Sequence, residues 1–358
     1  MSRQQTYLHL LGAGCASLSL CHYLRDKQID TALYGQRSPA MDNAHFWGFW
    51  AFDWLDDAAL LATHRWREWQ FIDYSQTITH YSDHHPYHAL DSSIWLSHCT
   101  STIDEIYEQL PSADTEGLVL DSRPPVPPEG ALIQHFTGQI IETPNACFNP
   151  EQAILMDFRC DQSRGIHFIY LLPFSAHRAL VESTFFSCEI HSQTIYLDAI
   201  SDYMYEQLHQ TDYQVLHTET GQIPMAECAP HDVNFLRIGA NGGCLRASSG
   251  YAFSYIQKQV MHLAKLISAG EVITHQHQIK NPIRAWDRWM DRVFLHVLRH
   301  HPDRAPQLFM RLAHALSGDE FASFMSGQAE LKTYAKLILS MPKLLFIRAA
   351  LNASWGAR

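Results

Sequence analysis

The chain has 358 residues, 46% of them hydrophobic and 18% charged, which excludes wholesale disorder and, at this length, favours two lobes with a cleft between them over a single core. Its net charge of -11 argues against a phosphate backbone as partner, so no nucleic acid is expected. The charge is uneven: from Asn281 onward 11 Lys+Arg stand against 6 Asp+Glu, so this end carries +5 and the rest -16.

Thr6 to Leu11 reads as a short strand, followed at once by Gly12-Ala13-Gly14 and a helix from Ala16 to Leu24. Strand, glycine turn and helix open a dinucleotide-binding unit. Glycine at 12 allows the tight turn, and glycine at 14 lets a pyrophosphate approach the amides at the helix N-terminus, beside Ala13 and Ala16. Two departures accompany the motif. Ser17 stands in the third glycine position, where a small residue still permits close packing. The second strand, Thr31 to Tyr34, runs into Gly35-Gln36-Arg37 where an Asp or Glu would hold the adenosine ribose. Gln36 can donate to a hydroxyl and Arg37 can meet a phosphate; weakened adenosine binding, or loss of the cofactor, is the alternative.

The segment AHFWGFWAFDWLDD, from Ala44, is rich in aromatic residues, and Phe46, Trp47, Phe49 and Trp50 read either as core or as a wall facing a ligand. Trp54 to Tyr107 shows no clear period. Leu118 to Arg123 is a strand ending in Asp121-x-Arg, Pro124 to Pro128 a turn or linker, and Asp157 with Arg159 a structural ion pair. Ile166 to Leu172 and Ala179 to Phe186 are two strands joined at Pro173-Phe174-Ser175. Alternation in the second places Leu180, Glu182, Thr184 and Phe186 on one face. Glu182 is then either a hydrogen-bonded edge residue or a carboxyl with a raised pKa in an apolar pocket.

Leu236 to Gly239 reads as a strand feeding Ala240-Asn241-Gly242-Gly243, with Ser248-Ser249-Gly250-Tyr251 opening a helix through Leu266. This is either a second anion-binding cluster of amides or a serine-capped helix. From Pro282 the chain is helical, with helices from Trp286 to Leu298, around Pro306 to Leu316, and over Leu331 to Leu351. The last combines Lys332, Lys336, Lys343 and Arg348 with a broad apolar face, which either packs on the core or settles on an anionic leaflet. The eight cysteines show no Cys-x-x-Cys and fit a reducing cytoplasm. Among 23 histidines, His84-His85, His275/His277 and His300-His301 lack a carboxylate or cysteine at ligand spacing, so no metal is expected. No run approaches the roughly 20 apolar residues that span a bilayer, and only Arg3 supports a signal-peptide reading of LLGAGCASLSLC.

Taken together, the N-terminal glycine turn, the Trp-rich segment, Asp121-x-Arg123, Gln134-His135-Phe136 with Gly138, Met156-Asp157-Phe158-Arg159, the run LVEST, Ile223-Pro224 and the late Gly-Gly and Ser-Gly-Tyr blocks resemble the lycopene cyclase family. One departure is Ala247, where the family often has proline. The resemblance implies an α/β fold with a Rossmann-type FAD-binding lobe (1–60, 111–165 and 230–275), a β-rich substrate lobe (61–110 and 166–229) and a helical C-terminal cap (276–358). It implies FAD that is reduced but not consumed, held by Gly12, Ala13, Gly14, Ala16, Ser17, Gln36, Arg37, Asp121, Gly239, Gly242, Gly243 and Gly250. It implies an apolar polyene substrate closed into β-type rings, with Glu182 as the acid-base residue, in the cytoplasm or on the inner face of its membrane. Two other readings stay open: a flavin-dependent oxidoreductase or halogenase-like enzyme acting on a smaller apolar substrate, and a non-catalytic polyene- or lipid-binding relative.

Overall fold

In the computed structural model, which describes residues 7–27, 29–37, 45–100, 106–111 and 116–355, the chain forms three sheets and a helical cap. The apolar run β1 (Tyr7–Ala13) leads through Gly14 into α1 (Cys15–Leu24), and β2 (Asp30–Arg37) lies parallel to β1. The aromatic segment gives β3 (Phe46–Trp50), followed by α2 (Asp56–Leu61), β4 (His64–Trp66), β5 (Glu68–Ile72), β6 (Thr77–Tyr81), β7 (Tyr87–Asp91), α3 (Ser92–Thr100) and β8 (Ile106–Tyr107). Beyond it come β9 (Leu118–Asp121), β10 (Leu132–Glu142), β11 (Gln152–Asp157), β12 (Ile166–Pro173), β13 (Arg178–Ser187), α4 (Gln193–Glu206), β14 (Gln214–Met225), β15 (Leu236–Arg237) and α5 (Phe253–Ser268).

The first sheet is parallel, in the order β15-β9-β1-β2-β8, and α1 and α5 pack together beside it around Leu18, Val260 and Leu263. The second has seven strands in the order β14-β10-β13-β12-β11-β5-β6, antiparallel except where β11 meets β5. A small antiparallel sheet, β3-β7-β4, completes the set.

Sheet membership differs from the sequence-based division at several points. Residues 132–157, grouped by sequence with the dinucleotide lobe, pair in the seven-stranded sheet, because β10 runs antiparallel to β13 and β14 along its whole length. Conversely Ile106 and Tyr107, assigned to the substrate lobe, extend the parallel sheet beside β2. Among its described residues, the stretch without a legible period holds five strands and two α-helices. Its strands are only two to five residues long, too short for alternation to register.

The large sheet is apolar on both faces. Ala179 and Val181 of β13 join Ile141, Ile169 and Leu171 under α4, whereas Leu180 and Phe186 face the opposite way into the main core. A strand in mid-sheet thus has two different apolar environments, one for each parity of its residues.

Among the described residues five α-helices form the cap: α6 (Ala285–His300), α7 (Ala305–Ala315), α8 (Gly318–Met325), α9 (Leu331–Ser340) and α10 (Lys343–Trp355). The last predicted helix is two, divided at Pro342, whose missing N–H and ring disfavour an unbroken helix. The cap is tied to the late glycine block by a buried ion pair, Arg246 to Asp291 at 3.3 Å. The Ser248 hydroxyl donates to the same carboxylate at 2.7 Å, and the Arg246 guanidinium lies 4.4 Å from the centre of the Phe324 ring.

Candidate functional site

The two glycine blocks meet. Gly239, at φ 65°, brings its turn so close to α1 that a Cβ there would overlap the Ala16 methyl, and Gly242 closes the turn against the Arg237 carbonyl. Gly243 (φ 84°) packs against the Asn281 side chain. Across the parallel sheet, Gly12 at φ 95° leaves room for Ser122, whose hydroxyl donates toward the carbonyls of Leu11 and Gly12 and shares a 2.8 Å hydrogen bond with Ser17. Ser17 therefore locks the turn to the Asp-x-Arg strand.

The missing acid at the end of β2 has a physical cause. Gly35 sits at φ 130° inside a register shift and lies against Gly12, a conformation that strains any residue with a side chain. Gln36 and Arg37 end the strand, but their side chains lie outside the described residues. Asp121 is fully buried, and both its carboxylate oxygens accept hydrogen bonds from Arg123 at 2.8 and 2.9 Å. Its observed role is to hold Arg123, which differs from the cofactor contact expected of it.

At the head of α1 the backbone is open. Gly14 is extended, makes no side-chain cap, and has nothing within 4 Å of where a Cβ would stand. Cys15 and Ala16 line a cavity of about 930 Å³ that continues past Ala240, Ser249 and Gly250. Ala13 is buried in the strand end. Gly250, at φ 72°, lies close to Gln134, whose Oε1 is buried without a partner; the Ser249 hydroxyl is likewise unpartnered. Both residues line the cavity between the glycine blocks. Open amides and two orphaned polar groups in one cleft fit the pyrophosphate and ring edge of a dinucleotide. Of the two sequence readings of this block, the serine-capped helix is not the one formed, since Ala252 holds the N-cap of α5 and Ser248 turns toward Asp291.

Beyond this region the cavity becomes apolar, bounded by Phe136, Phe168, Tyr170 and Phe186 of the large sheet and by Trp289, Phe294 and Phe346 of the cap. Glu182 faces into it, 7% exposed, and accepts a 2.5 Å hydrogen bond from the Thr184 hydroxyl. Burial first, then the nearby Glu219 carboxylate, push its pKa up to about 8, against the opposing effect of Thr184. Of the two sequence readings for Glu182, the geometry selects the buried carboxyl.

Several neighbours of Glu182 were not singled out in the sequence. The Tyr87 hydroxyl lies 2.9 Å from those of both Tyr170 and Tyr251, and burial raises the pKa of all three. Gly48, in the Trp-rich segment, makes the space: a Cβ there would overlap the Tyr87 hydroxyl. Trp47 and Gly48 line the cavity with Phe46 and Trp50, whereas Phe49 is fully buried against Phe253 and His88. Glu219 is buried on β14, and its signal lay in the strand register alone. Asp157 and Arg159 form a bidentate pair at 2.7 and 3.0 Å, as the sequence suggested, with the Tyr203 hydroxyl on the same carboxylate. Among the described residues no cluster of three or more His, Cys, Asp or Glu could hold a metal ion.

This is the fold of FAD-dependent flavoproteins. It is shared with a geranylgeranyl bacteriochlorophyll reductase-like protein from Thermoplasma acidophilum, with a TM-score of 0.61, 10% identity, and 98% of this chain and 100% of that one covered. Klebsiella pneumoniae HpxO complexed with FAD and uric acid has a TM-score of 0.61, 11% identity, and 95% and 98% covered. The sequence defines the family more closely. The family model for lycopene cyclase protein matches residues 115–351, and the chain belongs to that family. A lycopene beta-cyclase from Paracoccus sp. is 27% identical over 248 residues, 64% of this chain and 62% of the relative, so the match spans less than two thirds of its length. A lycopene beta-cyclase from Pantoea ananas is 24% identical, with 97% of each chain covered.

Proposed function

We propose that the protein closes the ends of an acyclic, lycopene-like carotenoid into β-type rings, an intramolecular and redox-neutral reaction. The observation that carries this reading is Glu182, a carboxyl with its pKa near 8 in an apolar cavity, and so protonated at neutral pH. Such a group can give a proton to a terminal trisubstituted alkene. The tertiary cation that forms is attacked by an internal double bond, and loss of one proton from the ring leaves the cyclic alkene, so protons and electrons balance. The carboxylate left on Glu182 stabilises the cation in a dry site. Desolvated aromatic faces such as Tyr170, Phe136 and Phe186 add about 0.5–2 kcal/mol each.

FAD fits the cleft between the glycine blocks. The amides at the head of α1 would receive its pyrophosphate, with Gln134 and Ser249 meeting polar edges. Held there in reduced form and not consumed, it would supply negative charge beside the developing cation.

Access for a lipid-dissolved substrate is proposed through the cap. Leu339, Leu344, Ile347 and Leu351 are more than half exposed, and Leu339 and Ile347 also line the cavity, as does Lys343. Thr333, Tyr334 and Leu337 pack inward, so α9 serves both core and surface. Among the described residues no helix is long and apolar enough to cross a membrane; the reading is peripheral docking on an anionic leaflet. Flotation with vesicles containing anionic lipid tests it, and the expected loss in Leu344→Glu with Ile347→Glu would support it.

The cyclisation is tested by anaerobic incubation of the flavin-loaded protein and reductant with lycopene in vesicles, with chromatography of the products. Cyclic product from wild type and none from Glu182→Gln is expected. Oxygen uptake with reduced pyridine nucleotide and no cyclic product would favour an oxidoreductase, and a protein that retains no flavin a binding role.

A further inference from the structure

Glu182 has a second carboxylate behind it. In the register of the large sheet, Gly138 of β10 is directly opposite Glu182 of β13 on one side and Glu219 of β14 on the other. Residues opposite each other project to the same face, so the two glutamates stand in one row with a glycine between them. Both side chains lean over that gap: a Cβ on Gly138 would lie 3.4 Å from the Glu182 Cβ and 3.3 Å from the Glu219 Cγ.

β14 is an edge strand, half of its residues are exposed and both neighbours of Glu219 are among them, yet Glu219 is 5% exposed. A carboxylate is not buried on an otherwise wet strand without compensation. His45 stands beside it: its Nδ1 lies 3.3 Å from the Glu219 Oε2, an ion-pair contact when the imidazole is protonated although that oxygen accepts no hydrogen bond, and the His45 side chain is 30% exposed. Glu182 lines the cavity, whereas neither Glu219 nor His45 does. The three groups thus run from the dry cavity, through a buried carboxylate, to a residue that reaches solvent.

We propose that Glu219 and His45 form the proton-exchange path of Glu182, carrying protons between solvent and the cavity across Gly138. When Glu182 has given its proton to substrate, a proton enters at His45, passes to Glu219, and from Glu219 reaches the Glu182 carboxylate. The reverse flow discharges a surplus proton. Only O–H and N–H bonds form and break, and no electron moves.

The surrounding electrostatics support this. The Glu219 carboxylate raises the His45 pKa above its ordinary value, against burial, and Asp91 adds to the effect. Of the tyrosine hydroxyls nearby, Tyr170 faces both Glu182 and Glu219 while Tyr87 and Tyr251 face Glu182, and all three are raised by burial and so kept protonated. Glu219 is in this sense a positioning residue, acting on substrate only through Glu182.

The inference rests on Glu182 as the acid of the proposed reaction, and infrared spectroscopy of the substrate-free protein separates the two. A carbonyl-stretch band of a protonated carboxylic acid is expected at pH 7, absent in Glu182→Gln. On transfer to D2O its isotope shift is expected to slow by about tenfold or more in Glu219→Gln and in His45→Gln, each of which removes one proton-transferring group from the path. Glu219→Asp should restore part of the rate, which a merely structural role would not predict. A band that exchanges at the wild-type rate in both variants overturns the path while leaving Glu182 as the acid. A band that persists in Glu182→Gln overturns the assignment of the acid itself. If Glu219→Gln does not fold, His45→Gln alone decides.

Discussion

Glu182→Gln is the perturbation whose magnitude the structure sets most directly, because glutamine keeps the shape of the side chain and removes its titration. In the folded chain the pKa is raised from 4.5 to about 8, first by burial and then by Glu219. Between these values the folded protein holds a proton that the unfolded chain has released, so this group makes stability fall as pH rises from 4.5 to about 8 and level off above. At about 1.4 kcal/mol per pH unit, the full effect is about 5 kcal/mol at most. Glutamine has no such dependence. Urea unfolding followed by tryptophan fluorescence at pH 5, 6, 7 and 8.5 should therefore show the variant gaining on wild type by several kcal/mol across the window, while cyclisation is lost. Parallel pH profiles for the two proteins would refute the claim that Glu182 is a buried, proton-holding acid.

Gly14→Val should leave the melting temperature within about 2 °C of wild type, since nothing lies within 4 Å of the new Cβ, yet retained FAD should fall by about tenfold or more because the branched side chain fills the pyrophosphate approach. The absorption spectrum after gel filtration reads this directly. Gly48→Ala should cost about 1–3 kcal/mol in denaturation and lower turnover without loss of flavin, because its methyl displaces the Tyr87 hydroxyl from Tyr170 and Tyr251. His167 is depressed to about 4, chiefly by burial. The unfolded chain gains this proton from pH 6.5 downward and the folded chain does not, so stability is lost as pH falls from 6.5 toward 4. Melts at pH 4.5 and 7 should show a smaller acid drop in His167→Gln than in wild type, even though the variant forfeits its hydrogen bonds to Ser183 and the Asp161 carbonyl.

The parts of the fold carried by local pattern were legible. β1, Gly12 to Gly14 and α1 announce themselves because an apolar run, a glycine turn and a small-residue helix are contiguous in the chain. Glu182 was legible for a similar reason, as one carboxylate in an alternating apolar strand. What the sequence could not convey is register between distant strands. Glu219 becomes a neighbour of Glu182 only because β10 pairs with both β13 and β14 and offers a glycine between them. The tyrosine cluster likewise joins three residues from separate elements through Gly48, whose role emerges only when Tyr87 is in place. Gly35 was read as a weakness in cofactor binding, but its backbone angle and its packing on Gly12 make it a requirement of the turn.

A cleft suited to a dinucleotide does not by itself require redox chemistry; what it can do depends on the groups that share it. Here the polar half, between the glycine blocks, grades into an apolar half to which, among the described residues, the large sheet contributes one carboxyl, Glu182. Glu182 sits on a strand paired on both sides, so its position is fixed by backbone hydrogen bonds along β10 and β12 rather than by a loop. In the proposed cyclisation, that rigidity would hold the proton donor at a set place beside a substrate with no polar group to anchor it. The opposite wall is the cap, whose buried Arg246–Asp291 pair fastens it to the cofactor half while Leu339 and Ile347 reach the surface. The proposed acid thus stands on the fixed wall, and the proposed entry for substrate lies along the helical one.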